Sequence, residues 1–305
     1  MVYASSAFLH DENLTSILAH ARLPKMRDRA ALEAWRRRIE SHLDPGSAFR
    51  RPWWHRCSVV GSSGAMAYYK DGAAIDEADA TFRINAAPVR GFTDHVGSRT
   101  TFRVWAGRES PEEVHWRGDD NASIVLYCQP MAWVGKCWQQ ITPNQRQPFP
   151  YPRVNPLVWL DVKAALAQRA NVTTRRSGAS GVAFPSAGAI AVWMAMLLCR
   201  RVRIFGFGDW RDAWNCPLRR PLAEAHARYF GPDGTPRAAC GRYFANGYRA
   251  EGSVRLGCGA KSSVATYLRD ASRFHDLQLE KDWLAELFRQ GRLLGPPCAG
   301  QAQAW

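Results

Sequence analysis

The sequence predicts an α/β protein whose doubly wound, mostly parallel sheet is flanked by helices. Short apolar segments that end at glycine alternate along the chain with helical patterns, as in βαβ units. The 305 residues, 46% of them hydrophobic, suffice for one large domain with an extension. The longest apolar run, Ala187 to Cys199, is too short to cross a membrane and fits a buried core helix.

The N-terminal region differs in pattern from the rest of the chain. Apolar residues recur at helical spacing over 29–43, and Pro45-Gly46 follows that pattern. We therefore expect residues 1–50 to form an N-terminal helical extension or stem. The main domain is predicted to cover residues 51–305.

Within the main domain the strand and helix patterns alternate. The predicted strands are 57–60, 80–84, 124–128 and 202–207. The predicted helices are 157–170, 187–199, 263–274 and 280–293. Residues 210–261 are rich in Gly, Pro, Arg and Cys without a clear period, so we expect long loops there.

Two glycines mark the carboxyl ends of predicted strands, where ligands bind to sheets of this type. Gly61 begins the sequence Gly61-Ser62-Ser63-Gly64, and Gly206 ends the strand predicted near residue 202. Glycines let a backbone approach a phosphate and serines add hydroxyl donors, so the first segment suits a nucleotide. A tight strand-to-helix turn explains the same segment equally well.

The chain is strongly basic, with Lys+Arg 41 against Asp+Glu 27 and a net charge of +14. Such a field attracts anionic partners, including phosphates, acidic sugars, membranes and nucleic acids. No long basic tail is present, which makes a nucleic-acid arm the weaker interpretation. The eight cysteines form no CxxC pair, and sequons at Asn13, Asn121 and Asn171 fit a secretory compartment.

Residues 57–101 contain a long ordered series of short segments. They are Cys57-Ser-Val-Val-Gly-Ser-Ser-Gly64, Ile75-Asp76, Asp79, Phe82-Arg83-Ile84-Asn85, Ala87-Pro88, Gly91-Phe92 and Val96-Gly97-Ser98-Arg99-Thr100-Thr101. This series closely resembles the large sialylmotif of the animal-type sialyltransferase family. Many positions match in order, which independent turns and strands would rarely produce.

Three further segments resemble motifs of the same family. Residues 185–208 resemble the small sialylmotif, and the family's pairing of motif cysteines carries over to Cys57 and Cys199. The segment from His275 to Glu280 resembles the very-small motif, whose histidine acts as general base. His226 is the best match to a third, His/Tyr motif, whose histidine stabilises the departing phosphate.

The resemblance implies a GT-A-like, Rossmann-related catalytic domain over 51–305. It implies an inverting glycosyltransferase that moves sialic acid, its deaminated relative or Kdo from a CMP-activated donor to a glycan hydroxyl, on a glycoprotein or glycolipid. No metal or other cofactor is expected, and the sequence contains no Asp-x-Asp triplet. The implied location is the Golgi lumen, with any membrane anchor outside this sequence.

The residues assigned on this basis fall into two groups. His275 and His226 are the expected catalytic residues. The expected donor-binding residues are Ser62, Ser63 and Asn85 around CMP, with Ser186, Gly188 and Gly206 near the donor carboxylate.

Two departures from the family pattern leave alternatives open. Ser62 stands where the family has Asn, and Ala187 stands where it has Thr. Ser62 still carries one hydroxyl donor, whereas the Ala187 side chain carries none. A catalytically inactive relative that binds CMP or glycans is the first alternative, and a basic nucleic-acid-binding domain is the second.

Overall fold

A computed structural model describes the chain in parts. The described residues are 8–9, 30, 34, 37, 54–64, 66, 69–85, 87–105, 123–126, 153–154, 156–173, 185–207, 275–297 and 305. The predictions for His226, for loops at 210–261 and for a helix at 263–274 lie outside the described residues. The predicted boundary between extension and main domain stays a prediction.

The described strands are β1 (Phe8–Leu9), β2 (Trp54–Val60), β3 (Ala80–Ile84), β4 (Phe102–Trp105), β5 (Ser123–Leu126), β6 (Arg153–Val154) and β7 (Cys199–Phe205). They form one seven-stranded sheet in the order β1-β6-β5-β4-β3-β2-β7. Only the β1–β6 pair is antiparallel among the described strands, and the other neighbours run parallel. The predicted α/β class with a mostly parallel sheet is therefore confirmed.

Helices lie on both faces of this sheet. The described helices are α1 (Gly72–Asp76), α2 (Thr93–Val96), α3 (Pro156–Thr173), α4 (Ala187–Leu198) and α5 (Leu277–Arg289). Helix α4 packs on the face that carries Ile84, and α3 and α5 pack beyond it. On the opposite face the Ser58 hydroxyl donates to the Ile75 carbonyl of α1 at 3.1 Å. No helix in the described ranges is long and apolar enough to span a membrane.

A disulfide joins strand β2 to its neighbour β7, which ends the strand order. Cys57 and Cys199 are bonded, with their Cα atoms 6.1 Å apart and a sequence separation of 142. Both side chains are buried in the core cluster. The predicted pairing is confirmed, and it covalently links two of the motif segments.

Most predicted elements differ from the observed ones only at their ends. Strand β3 matches its prediction, whereas β2 and β7 each begin three residues earlier than predicted. The last helix was predicted at 280–293 and instead runs Leu277–Arg289. It starts earlier because Asp276 is its N-cap, accepting a 2.9 Å hydrogen bond from the Leu279 amide. It ends earlier because Gly291 adopts a left-handed conformation, at φ 67°.

Candidate functional site

The carboxyl ends of β2 and β7 are held together by backbone hydrogen bonds between their glycine turns. The Gly61 amide donates to the Phe205 carbonyl at 2.7 Å, and the Ser63 amide donates to the Gly206 carbonyl at 3.1 Å. A Cβ on Gly61 would lie 2.3 Å from the Gly206 carbonyl oxygen, so only glycine fits there. Gly206 itself needs a left-handed φ of 72°. The two backbones are in direct contact at this edge.

The neighbouring strand β3 places Asn85 at the same edge. Val60 is in register with Arg83 on one side and with Phe205 on the other, so the residues after them follow in one row. Asn85 adopts φ 50°, a left-handed conformation that asparagine tolerates better than most residues. The structure therefore brings Ser62, Ser63, Asn85 and Gly206 to one end of three adjacent strands.

Helix α4 starts beside this row. Ser186 is its N-cap, and the Ser186 hydroxyl accepts from the Ala189 amide at 3.2 Å. A Cβ on Gly188 would lie 3.0 Å from Phe207 Cε1 and 3.4 Å from Ile84 Cδ1, which places Gly188 against the ends of β7 and β3. Among the described residues, no acceptor pairs with the Ala187 and Gly188 amides. A helix start with open amides favours an anionic group.

A buried carboxylate fixes the cap residue of α4. Ser186 donates to Glu280 twice, from its amide to Oε1 at 2.7 Å and from its hydroxyl to Oε2 at 2.6 Å. Burial raises the pKa of Glu280 to about 7, and the negative charge of Asp276 acts in the same direction. The two hydrogen bonds from Ser186 act the other way and limit the rise in pKa. Because a serine hydroxyl has one proton, the Ser186 hydroxyl proton is committed to Glu280.

The same contact positions His275. Glu280 lies in the first turns of α5, and its amide donates to the Asp276 carbonyl at 3.0 Å. His275 directly precedes Asp276 and is half-buried. The Ser186–Glu280 pair therefore ties the start of α5, with His275, to the start of α4. Of the two predicted catalytic histidines, His275 is placed by the structure and His226 lies outside the described residues.

Two buried arginines, Arg83 and Arg103, support this edge by hydrogen bonds to backbone carbonyls. The sequence alone had assigned neither of them a role. The Arg83 guanidinium donates to the carbonyls of Gly97 and Arg99 at 3.2 and 2.8 Å. The Arg103 guanidinium donates to the carbonyls of Asn85 and Ala87, each at 2.9 Å. Each arginine stands in a short strand made mostly of apolar residues, which was the signal available in the sequence.

The Asp76 carboxylate organises the loop that follows α2. It accepts from the Ser98 amide at 2.8 Å, from the Ser98 hydroxyl at 2.8 Å and from the Arg99 amide at 3.0 Å. A Cβ on Gly97 would lie 2.5 Å from the Asp76 carboxylate, so the loop can approach only because that residue is glycine. These contacts give a structural role to the second half of the large-motif segment.

The amino-acid sequence is similar to those of known glycosyltransferases. The sequence profile of glycosyltransferase family 29 (sialyltransferase) matches residues 26–215. The human CMP-N-acetylneuraminate-beta-1,4-galactoside alpha-2,3-sialyltransferase is 27% identical over 187 residues, covering 53% of this chain and 47% of that protein. The mouse lactosylceramide alpha-2,3-sialyltransferase is 30% identical over 170 residues, covering 50% of this chain and 41% of that protein. The chain thus matches these relatives over about half of their length or less.

A solved structure is also similar. The crystal structure of a mammalian sialyltransferase aligns with 97% of this chain and 88% of its own chain, at 18% identity and a TM-score of 0.49.

Proposed function

The chain belongs to glycosyltransferase family 29, the sialyltransferases, and on this premise we propose that it transfers sialic acid from CMP-sialic acid to a galactoside hydroxyl. The observation that carries the proposal is the convergence of three strand ends and the start of α4 on one edge of the sheet. Parallel sheets of this type bind their ligands at that edge. The donor, CMP-N-acetylneuraminate, and the α-2,3 linkage to a galactoside are taken from the name of the human relative.

The donor's two anionic groups have separate places in this proposal. Ser62, Ser63 and Asn85 hold CMP at the ends of β2 and β3. The donor carboxylate lies at the start of α4, where the Ala187 and Gly188 amides have no acceptor among the described residues. Gly188 and Gly206 line this edge, and only glycine fits at either position, because a Cβ there would meet neighbouring protein atoms at 3.0 Å or less.

The proposed reaction is a single displacement that inverts the anomeric carbon. His275 removes the proton from the acceptor hydroxyl as its oxygen attacks, and the bond to the CMP phosphate breaks. His226 offsets the charge that develops on the departing phosphate. The Ser186–Glu280 contact acts as a positioning device, because it fixes the start of α5, which directly follows His275 and Asp276.

We propose that no metal takes part. The sequence has no Asp-x-Asp triplet, the pair of carboxylates that commonly joins a metal to a sugar nucleotide. Hydrogen bonds and the chain's net charge of +14 would then stabilise the leaving group. The proposed location is the Golgi lumen, and the three sequons support a secretory compartment.

A non-catalytic relative that binds CMP or glycans is the second candidate. Ser62 and Ala187 favour it, because both replace larger hydrogen-bonding side chains that the family motif carries at donor-binding positions. Ala187 offers only its backbone amide to the donor. This candidate predicts CMP binding without turnover.

A panel of CMP-sugar donors distinguishes the active transferase from the non-catalytic relative. The chain is incubated with CMP-sialic acid, its deaminated relative and CMP-Kdo, with and without lactosylceramide or a β-galactoside, and CMP release is measured with and without EDTA. Release from CMP-sialic acid that needs the galactoside and persists in EDTA is the expected result. CMP binding without release from any donor would establish the non-catalytic relative, and no CMP binding would overturn both.

A further inference from the structure

A second basic site lies at the opposite end of the sheet from the proposed active site. Strand β7 begins at Cys199, so Arg200 and Arg201 stand at the amino ends of the parallel strands. A cavity of about 270 Å³ opens there, lined by these two arginines together with Arg292 and Trp305. We call it the arginine pocket.

The chain after α5 completes the pocket by adding to the outer edge of β7. The Leu294 amide donates to the Val202 carbonyl at 2.8 Å, and the Ile204 amide donates to the Leu294 carbonyl at 2.9 Å. These bonds form a parallel bridge in which Leu294 lies opposite Arg203. Arg292 lies two residues before this bridge, and it lines the pocket together with Arg201.

The pocket brings three like-charged side chains together. Arg200, Arg201 and Arg292 are exposed, and no described acidic side chain forms an ion pair with any of them. On the other side of β7, Arg201 is in register with Arg56 of β2, which pairs with Asp79 at 3.2 Å. Like charges opposite one another on adjacent strands destabilise a sheet. An arrangement of this kind is stabilised when an anion occupies it.

Trp305 forms a fixed wall of the pocket. The Arg203 guanidinium carbon lies 4.3 Å from the centre of the Trp305 ring, and the corresponding atom of Arg56 lies 5.7 Å from it. The Trp305 indole N–H donates to the Glu77 carboxylate at 3.0 Å. Arg203 and Arg56 thus have partners that hold the ring, while the three exposed arginines remain available for a ligand.

We propose that the arginine pocket binds an oxyanion, a sulfate or phosphate group, either free or carried on a sugar. Guanidinium groups form paired, charge-assisted hydrogen bonds with such groups. The cavity is smaller than the roughly 300–1,000 Å³ typical of sites for drug-sized ligands, which suits one anionic group or one substituted sugar ring. The site is separate from the donor site, because the two lie at opposite ends of β7.

Calorimetric titration at low ionic strength, with the donor site saturated by CMP, tests this proposal. The probes are inorganic sulfate, inorganic phosphate, a chondroitin sulfate disaccharide and its unsulfated counterpart. We expect the sulfated disaccharide or the free anions to bind and the unsulfated disaccharide not to bind. Tighter binding of the sulfated disaccharide identifies an anion carried on a sugar, and equal binding identifies the free anion.

Substitutions in the arginine pocket test whether the anion binds there. The R201Q/R292Q double variant should bind at least about tenfold more weakly, because two charge-assisted contacts are lost. K70Q, which removes an exposed charge beside Asp94, should bind as the unchanged chain does. Unchanged CMP binding by the double variant shows that it is folded, and R200Q provides a milder test if it is not. Absence of binding by every anionic probe, or equal binding by the arginine variants, would overturn the proposal.

Discussion

Glu280 accepts both hydrogen-bond protons that Ser186 offers, at 2.7 Å from the amide and 2.6 Å from the hydroxyl. The two residues are 94 positions apart and belong to different sequence motifs. Their contact joins the start of α4, proposed to face the donor, to the start of α5, which follows His275. A single buried carboxylate therefore relates the donor-binding and proton-accepting parts of the proposed site.

The first prediction concerns the dependence of stability on pH. The pKa of Glu280 is raised to about 7 in the folded chain, so the folded state holds a proton that the unfolded state releases at lower pH. Its contribution to the free energy of unfolding is full below the unfolded pKa and is lost as pH rises through about 7. E280Q should remove this loss. The free energy of unfolding of the variant, taken relative to that of the unchanged chain, should therefore rise by on the order of 3 kcal/mol from pH 5 to pH 8.

Urea denaturation of both proteins across that pH range measures the difference directly. Because all other titrating groups are shared, the difference in free energy of unfolding isolates Glu280. A difference that does not vary with pH would show that Glu280 titrates at its ordinary pKa.

The second prediction concerns the cap of α4. S186A removes the hydroxyl that caps the Ala189 amide and donates to Glu280, so the free energy of unfolding should fall by about 1–2 kcal/mol. S98A is the matched control, since it removes an exposed hydroxyl that also donates to a carboxylate, Asp76. S98A should lower the free energy of unfolding by less than about 1 kcal/mol. Equal costs in chemical denaturation would mean that the buried contact contributes no more than an exposed one.

The third prediction separates backbone conformation from steric contact at the glycine turn. Gly206 and Gly291 have similar left-handed φ angles, 72° and 67°, but only Gly206 is crowded. G291A should lower the free energy of unfolding by about 1–2 kcal/mol, because alanine is strained in the left-handed conformation. G206A should cost at least about 1 kcal/mol more, because its Cβ would meet Gly61 and Met66 atoms at 2.9 Å. Similar thermal melts for the two variants would contradict the close contact of β2 and β7.

The fourth prediction concerns the disulfide. Replacing both Cys57 and Cys199 by serine removes a crosslink between residues separated by 142 positions, so the free energy of unfolding should fall by about 3–5 kcal/mol. The unchanged chain under reducing conditions should lose a similar amount, and the double variant should then be insensitive to the reductant. A double variant as stable as the unchanged chain would show that the bridge does not stabilise the fold.

The sequence predicts those features that depend on local pattern. The run from Ala80 to Ile84 reads as a buried strand and is one, and the glycines at 61 and 206 end strands as expected. The Cys57–Cys199 bridge came from the family resemblance rather than from any local pattern. The start of α5 was predicted three residues too late, at 280 instead of Leu277, because the helix-capping position of Asp276 was overlooked.

Features that depend on distant contacts escaped prediction. Arg83 and Arg103 are almost fully buried, although arginine is ordinarily exposed, because the fold supplies carbonyl acceptors from separate loops. The contact between Ser186 and Glu280 could not be read from spacing, since no local period relates residues so far apart. The arginine pocket likewise exists only because the chain after α5 pairs with the edge of β7.

The most direct test of the central claim is the effect of H275A on sugar transfer and on CMP binding, measured separately. H55A is the control, since His55 is an exposed histidine near the amino end of β2. We predict that H275A loses transfer to a galactoside by at least about 100-fold while its affinity for CMP stays within about twofold, and that H55A retains both transfer and CMP affinity. Transfer by H275A at the rate of the unchanged chain would contradict the assignment of His275 as the general base.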